Sequence, residues 1–402
     1  MKPSTLWMVF FLIILFGCES DRPVALNFPI NQYTDSFINS DWKIRAGTLN
    51  TFSINLKGKD AKPRNLAMGK QIKKLGIDIM GFQESYQNGA KDLLIENSGL
   101  NYNKYFTMGG TLGSGNLILS RNDFTGTSFY YHLLMGEIDN IEMWSGKGIG
   151  KVSITHDELP VSFFNLHLIS RTGIYSDDWE DENTTDRLIE LFEVFSQVVE
   201  QTDSDAFIVV GDFNMNIFNH EYQFFNKLTN WQGIKFQEED FSICTFCREN
   251  TFNSKSEGQL DYIWISPRLS FKNKWIDFKQ LIKIDDRLSN LSDHYGLVAD
   301  IEVNKNQAEG NIDDLKKSAL DQIELLIARI NKELSKNNKE ANFDENKGVE
   351  ERLCRSCQLK DALVNLKAYQ KSLRGDDLVT QHEVDIDLRL NSYFELFKPN
   401  LL

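Results

Sequence analysis

A short apolar run that ends in a polar side chain is the pattern that recurs over residues 42–303. Phe207, Ile208, Val209 and Val210 run into Gly211, Asp212, Phe213 and Asn214, which reads as a buried strand delivering polar groups at its C-terminal end. Gly211 lets the backbone turn, and Asp212 and Asn214, two apart, share one side of an extended segment. An Asx turn between two elements is the alternative for this stretch taken alone. Residues 44–50 end in the same way at Asn50, and residues 77–84 end at Glu84. Further strands are expected at 115–120, 151–155, 161–168, 259–265 and 296–303. Met68, Ile72 and Leu75 stand at helical spacing before Gly76, and Leu188, Leu191, Phe192, Phe195, Val198 and Val199 mark one face of a second helix behind the polar loop 170–185. Strands with polar ends and few helices predict two packed sheets with helices outside, an α/β architecture.

Past Asn304 the pattern changes. Ile312, Leu315, Ala319, Ile323, Leu326, Ile330 and Leu334 repeat at steps of three and four, as on one face of a helix. Residues 335–348 are polar and read as a linker, and Leu353, Leu363, Leu366, Tyr369 and Leu373 mark another helix, so residues 305–402 form a helical, hairpin-like C-terminal appendage. Near the end, Val384, Ile386, Leu388 and Leu390 alternate as a strand does, with a helix as the alternative. No candidate chemistry falls here, and the region is assigned to packing, partner binding or self-association.

A chain of 402 residues with 41% hydrophobic residues and 28 Phe is able to bury a sizeable core. Its formal charge of -14 argues against a binder that relies on neutralising nucleic-acid phosphates. It does not exclude a phosphodiester hydrolase, because a bound divalent metal supplies positive charge locally. Residues 1–16 are mostly apolar, with one positive side chain at Lys2, and have the length of a signal-peptide core rather than of a membrane span. With Cys18 the segment resembles a bacterial lipoprotein signal. That resemblance implies a signal over 1–18, lipidation at Cys18, a tether over 19–40 and an exported protein anchored to the cell envelope; an uncleaved anchor is the alternative. The other cysteines form two Cys-x-x-Cys pairs, Cys244/Cys247 and Cys354/Cys357. In an exported chain disulfides are expected, with the pairing open, and a structural zinc site is the alternative.

The candidate chemistry sits at strand ends and loops: Asn50, Glu84, His167, Asp212 with Asn214, Asp261, and Asp293 with His294. Two of the six histidines fall in this set. Singly, each has a structural explanation, such as a satisfied core histidine for His167 or a backbone-bonded loop pair for Asp293 and His294. Jointly they fit one chemistry. Oxygen ligands from Asn50, Glu84 and Asp293 suit Mg²⁺, while two histidines and a carboxylate offer a base for water and an acid for a leaving group.

The series Thr48-Leu49-Asn50, Gln83-Glu84, Asn165-Leu166-His167-Leu168, Gly211-Asp212-Phe213-Asn214, Leu260-Asp261-Tyr262 and Ser292-Asp293-His294 resembles the endonuclease/exonuclease/phosphatase superfamily. The resemblance covers residues 41–304 and implies a four-layered α/β/β/α sandwich of two packed mixed sheets, with the site at one edge. Within the superfamily, residues 114–121, 145–149 and 244–263 are similar to segments of the neutral sphingomyelinases, phospholipase C-type enzymes that release ceramide and phosphocholine. The family pattern implies that Glu84, with Asn50 and Asp293, holds Mg²⁺, with Mn²⁺ or Co²⁺ as substitutes. It further implies that His294, oriented by Asp261, activates water, that Asp212 and Asn214 position the water and a phosphoryl oxygen, and that His167 serves the leaving oxygen. Arg121 and Lys147 are candidate phosphate contacts, with structural roles as the alternative. One departure is expected: residues 271–290 carry Trp275 and Phe278 among many charges, and show no exposed aromatic hairpin of the kind that enters membranes. The competing functions are an exported nuclease on the same fold, acting on nucleic acid instead of a sphingolipid, and a binding protein whose site is vestigial.

Overall fold

The structure is a computed structural model that describes residues 42–54, 60–106, 113–131, 146–170, 183–202, 204, 206–233, 244–253, 257–304, 312–340, 349–377 and 380–395. The signal, Cys18 and the tether lie outside these residues, as does most of the loop 170–185.

One mixed sheet takes strands β1 (Lys43–Asn50), β2 (Ile79–Gln83), β3 (Tyr102–Tyr105), β4 (Leu117–Ser120), β11 (Leu269–Asp277) and β14 (Gly296–Val303), in the order β11-β14-β1-β2-β4-β3. The other takes β5 (Phe124–Tyr131), β6 (Gly148–His156), β7 (Leu159–His167), β8 (Ala206–Asp212), β9 (Gln232–Gly233) and β10 (Asp261–Ile265), in the order β5-β6-β7-β8-β10-β9. Each sheet has one parallel pair at its centre, β1 with β2 and β7 with β8, and is otherwise antiparallel. Central strands covered on both faces read as continuous apolar runs, and every residue of β8 is buried.

Helices α1 (Ala61–Leu75) and α2 (Asn88–Ser98) share a core with β2 and β4 through Met68, Ile72, Leu94, Met80 and Leu117. Gly76 ends α1 as the sequence predicts, at φ 65 with its N–H shared between the carbonyls of Ile72 and Lys73. On the other sheet, α3 (Thr184–Gln201) and α4 (His220–Thr229) pack through Phe192, Phe195 and Phe225 against Phe164, Val209 and Trp264. The result is the expected α/β/β/α sandwich. Helix α4 was not foreseen; ten residues with Tyr222, Phe225 and Leu228 on the buried stripe give too short a periodic signal.

The C-terminal region adds α5 (Ile312–Glu340), α6 (Val349–Arg374) and α7 (Gln381–Glu395). Ile323, Leu326, Leu366 and Tyr369 join the core of α3 and α4, and Tyr369 packs on Phe192 with ring centroids 5.1 Å apart. Two expectations are corrected here. The linker at 335–348 is helical as far as Glu340, and the alternating segment 384–390 is helix, with Ile386 and Leu390 buried one turn apart while Leu388 is 60% exposed. Packing of the 386/390 stripe outweighs the local alternation. A third difference concerns residues 271–290: β12 (Leu281–Ile284) and β13 (Arg287–Asn290) do form a hairpin, whose exposed apolar residues are Leu281 and Leu288 rather than aromatics.

Candidate active site

Strand register assembles half of the site. His167, the last residue of β7, lies opposite Asp212, the last of β8, and Asp212 lies opposite Asp261, the first of β10. Three side chains are thereby aligned at one edge of the sheet. The segment between β13 and β14 adds His294, with Nδ1 2.8 Å from Asp261 Oδ2 and Nε2 3.8 Å from Asp212 Oδ2. Nε2 of His167 is 3.5 Å from the same Asp212 oxygen. Asp212 therefore stands between two imidazoles, all of them buried.

Gly211 acts differently from the expected turn. It lies within β8, and a Cβ there would stand 2.1 Å from the carbonyl oxygen of Leu166, so the strand pairing itself requires glycine. The turn comes afterwards, where Asn214 sits at φ 49 with its N–H donated to Asp212 Oδ1 at 2.9 Å. Asx turn and site residue are thus one feature, and the Asn214 amide is tied to the Leu168 carbonyl at 2.9 Å.

Burial pushes the Asp212 carboxyl up to about 6. For His294 burial acts downward, but the Asp261 and Asp212 carboxylates outweigh it and hold the imidazole well above its ordinary value. The ring is therefore a poor metal ligand in this state, although Asp212, Asp261 and His294 present ligand atoms within 4.8 Å of one another.

The other sheet carries the second half. Glu84 follows β2 at φ 56, a left-handed conformation that costs a non-glycine residue about 1–3 kcal/mol and is retained mainly where surrounding structure imposes it. Its Oε2 is buried with no hydrogen-bond partner. Burial, followed by the neighbouring Asp293 charge, pushes Glu84 up to about 8, and burial raises Asp293 as well. Asn50 donates to Asp212 Oδ2 at 3.1 Å and links the two halves. A buried, unsatisfied carboxylate oxygen beside a second acid and an amide is what a hard, oxygen-seeking divalent cation fits, so Glu84, Asn50 and Asp293 suit the group their sequence pattern implies.

Lys147 is buried with its ammonium 3.0 Å from the Leu168 carbonyl oxygen, and its charge acts on both Glu84 and Asp212. The structure does not bring Arg121 to this cluster. Arg121 pairs with Asp78 at 3.0 Å and donates to the Ile77 carbonyl, both of which precede β2, whereas Glu84 follows it. Its role is to tie the far end of the sheet, which corrects the expectation of a phosphate contact. Cys244 and Cys247 form a disulfide, excluding zinc at that pair; Cys354 and Cys357 lie outside the described side chains.

Two supports carried no separate assignment in the sequence. Thr245, enclosed by the disulfide, accepts at Oγ1 from the N–H groups of Leu260 (2.9 Å) and Asp261 (3.2 Å), and Phe246 packs on the His294 ring at 5.1 Å. Across the sheets, Gln83 Nε2 donates to Asn165 Oδ1 at 2.6 Å, joining the strand that leads to Glu84 with the strand that ends at His167. The Cys-x-x-Cys spacing and the quoted Asn-Leu-His motif were the available signals for both.

A sequence profile described as the Endonuclease/Exonuclease/phosphatase family matches residues 47–294. No curated protein sequence matches the chain. Among solved structures, it is similar to a beta toxin from Staphylococcus aureus (TM-score 0.53, 18% identity, 64% of this chain and 99% of that one). It is also similar to sphingomyelinase C from Streptomyces griseocarneus (0.48, 16%, 64% and 99%) and to D. rerio TDP2 complexed with a single-strand DNA product (0.50, 13%, 65% and 100%). At these identities the likeness is one of fold.

Proposed function

The chain belongs to the endonuclease/exonuclease/phosphatase family, and from that premise we propose that it is a Mg²⁺-dependent sphingomyelinase releasing phosphocholine and ceramide. The coarser activity, metal-dependent hydrolysis of a phosphoester, rests on one observation above all: Asp212 lies between His294, which Asp261 holds at 2.8 Å, and His167, facing the half of the site that carries Glu84.

Bound at Glu84, Asn50 and Asp293, a divalent cation would neutralise phosphoryl charge and acidify water. The remaining roles belong to the chain. Asp261 fixes Nδ1 of His294, so Nε2 faces Asp212 and the reacting centre. In its neutral form, Nε2 is the atom placed to accept the proton of the attacking water. The water oxygen bonds to phosphorus, the bond from phosphorus to the ceramide oxygen breaks, and His167 delivers the proton that the leaving oxygen takes up. Asn214 and Lys147, both anchored to the Leu168 carbonyl, are placed to contact phosphoryl oxygens.

The lipid substrate is supported by the segments resembling neutral sphingomyelinases and by the β12–β13 hairpin. Leu281, Lys283 and the opposed Leu288 share one exposed face of the hairpin, and β13 ends three residues before Asp293. An exposed apolar finger joined to the site suits a substrate held in a lipid surface. Attachment through Cys18 belongs to the same proposal; among the described residues no helix is long and apolar enough to cross a membrane. The test is release of phosphocholine from sphingomyelin vesicles by the purified protein with Mg²⁺, compared with EDTA and with His294→Ala. Plasmid DNA cleavage without phosphocholine release would transfer the site to the nuclease reading.

A further inference from the structure

Arg64 stands in the first two turns of α1, on the buried stripe with Ala61, Asn65, Met68 and Ile72, and is fully buried itself. Its guanidinium donates to three main-chain carbonyls. Nη1 reaches Thr51 O at 2.9 Å and Leu291 O at 2.6 Å, while Nη2 reaches Phe52 O at 2.7 Å. These oxygens belong to two segments that are remote in sequence, one directly following Asn50 and one directly preceding Asp293. The rings of Phe52 and Phe252 flank the guanidinium at 5.8 and 5.3 Å, shielding it from water. Ser292 adds a second link between the segments, donating to the Asn50 carbonyl at 2.6 Å, and Asn65 holds Ser53 at 2.8 Å.

A packing role alone explains a buried helix residue, but not this choice of one. A guanidinium is costly to bury, and a planar donor fork is worth that cost where several acceptors in fixed directions must be gathered. The acids whose charge acts on the guanidinium are first Asp293 and then, once ionised, Glu84, the two acids of the ligand set. Resting on the reading that Asn50, Glu84 and Asp293 hold the divalent cation, we propose that Arg64 is the positioning residue of that pocket. It fixes the spacing between the Asn50 and Asp293 segments, so that the donors are gathered before the cation arrives. Preorganisation of this kind acts on metal affinity: His167, Asp212 and Asp261 stand on the other sheet, and His294, although it follows Asp293, is held there by its own 2.8 Å bond to Asp261. Lysine retains the charge but presents one ammonium point, which does not span both segments as the fork does.

The experiment titrates Mn²⁺ into the full-length, metal-stripped protein by calorimetry and by the loss of free-ion EPR signal, for wild type, Arg64→Lys and Glu84→Gln, and follows hydrolysis of a soluble nitrophenyl phosphodiester. Arg64→Lys is expected to raise the Mn²⁺ Kd at least tenfold while kcat at saturating metal stays within about threefold of wild type. An unchanged Kd, or a kcat lost at saturating metal with Kd intact, overturns the proposal. If the underlying reading is wrong, Glu84→Gln binds Mn²⁺ as tightly as wild type, a result independent of Arg64. Should the lysine variant not fold, the buried arginine NMR signal of selectively labelled wild type decides. It is expected to move under diamagnetic Mg²⁺ with the same midpoint as the Mg²⁺ calorimetric isotherm, and a signal that does not move overturns the proposal.

Discussion

Proton and metal compete for Glu84, and the competition sets a measurable pH dependence. Burial and the adjacent Asp293 hold the metal-free carboxyl at about 8, so at neutral pH it is mostly protonated. A cation arriving at pH 7 must displace that proton, an opposing contribution of roughly 1.4 kcal/mol for a one-unit gap, or about tenfold in apparent affinity. The sign is fixed: affinity rises with pH, by about tenfold between pH 6 and 7, and by no more than about twofold between pH 8 and 9, where the carboxylate is already ionised. Calorimetric Mg²⁺ titrations at pH 6, 7, 8 and 9, each in two buffers of different ionisation enthalpy, measure both the affinity and the protons released. Release near one proton per metal is expected at pH 6, falling to about one half at pH 8. Glu84→Gln should remove the pH dependence together with most of the affinity. An apparent Kd that is flat from pH 6 to 8 in wild type would refute the assignment of Glu84 as the principal ligand.

The metal-free protein should lose stability as pH rises. Glu84 and Asp212 keep protons in the fold that the unfolded chain has released above the ordinary carboxylate range, and the stabilisation from His294, present below its ordinary value of 6.5, fades as pH climbs through its raised value. Melting temperatures in EDTA are expected to fall from pH 5 to pH 8 and to recover with Mg²⁺; a rise over that window contradicts the shifts. Asp261→Asn removes the carboxylate that orients His294 and should lower kcat about 10²- to 10⁴-fold with little change in metal Kd, measured by saturation kinetics on a soluble diester. Leu281→Asp with Leu288→Asp should reduce vesicle binding and sphingomyelin turnover at least tenfold while leaving soluble-diester hydrolysis intact. Equal loss on both substrates would deny the hairpin an interfacial role.

What was legible in the sequence is what depends on local pattern. The β8 run into Asp212, Gly76 closing α1 and the existence of helix α3 all follow from spacing and side-chain type and are found in place, although α3 is buried on its polar face as well, from Thr184 to Val199. Residues 384–390 misled because alternation and helical spacing share positions, and only contact with the α3 and α6 core selects 386 and 390 as the buried pair. Arg121 misled for a related reason. A cation at the end of a strand is equally a phosphate contact or an anchor, and which end of the sheet it occupies is decided by pairing with β2, not by its neighbours in sequence. Arg64 carried a faint signal, a charged residue on the apolar stripe of α1, with nothing local to say which carbonyls it would gather.

The deeper constraint is that neither sheet holds a complete site. Glu84 and Asn50 leave the ends of β2 and β1, while His167, Asp212 and Asp261 sit at the ends of β7, β8 and β10. The chemistry therefore requires the two sheets to meet at one offset along the strands. Hydrophobic contact between sheets does not specify such an offset, since apolar packing is non-directional. Gln83 and Asn165 supply the missing direction. Gln83 donates to Thr48 Oγ1 within its own sheet and to Asn165 across the interface, and the Asn165 amide in turn donates to the carbonyl of Phe82 at 2.9 Å. A buried amide left unsatisfied costs about 1–3 kcal/mol, so any slip that broke these bonds would be disfavoured by several such increments. Each residue of this bridge adjoins or lies close to a site residue, Gln83 beside Glu84 and Asn165 two before His167, so the polar core fixes how far apart the metal-binding acids and the histidines stand.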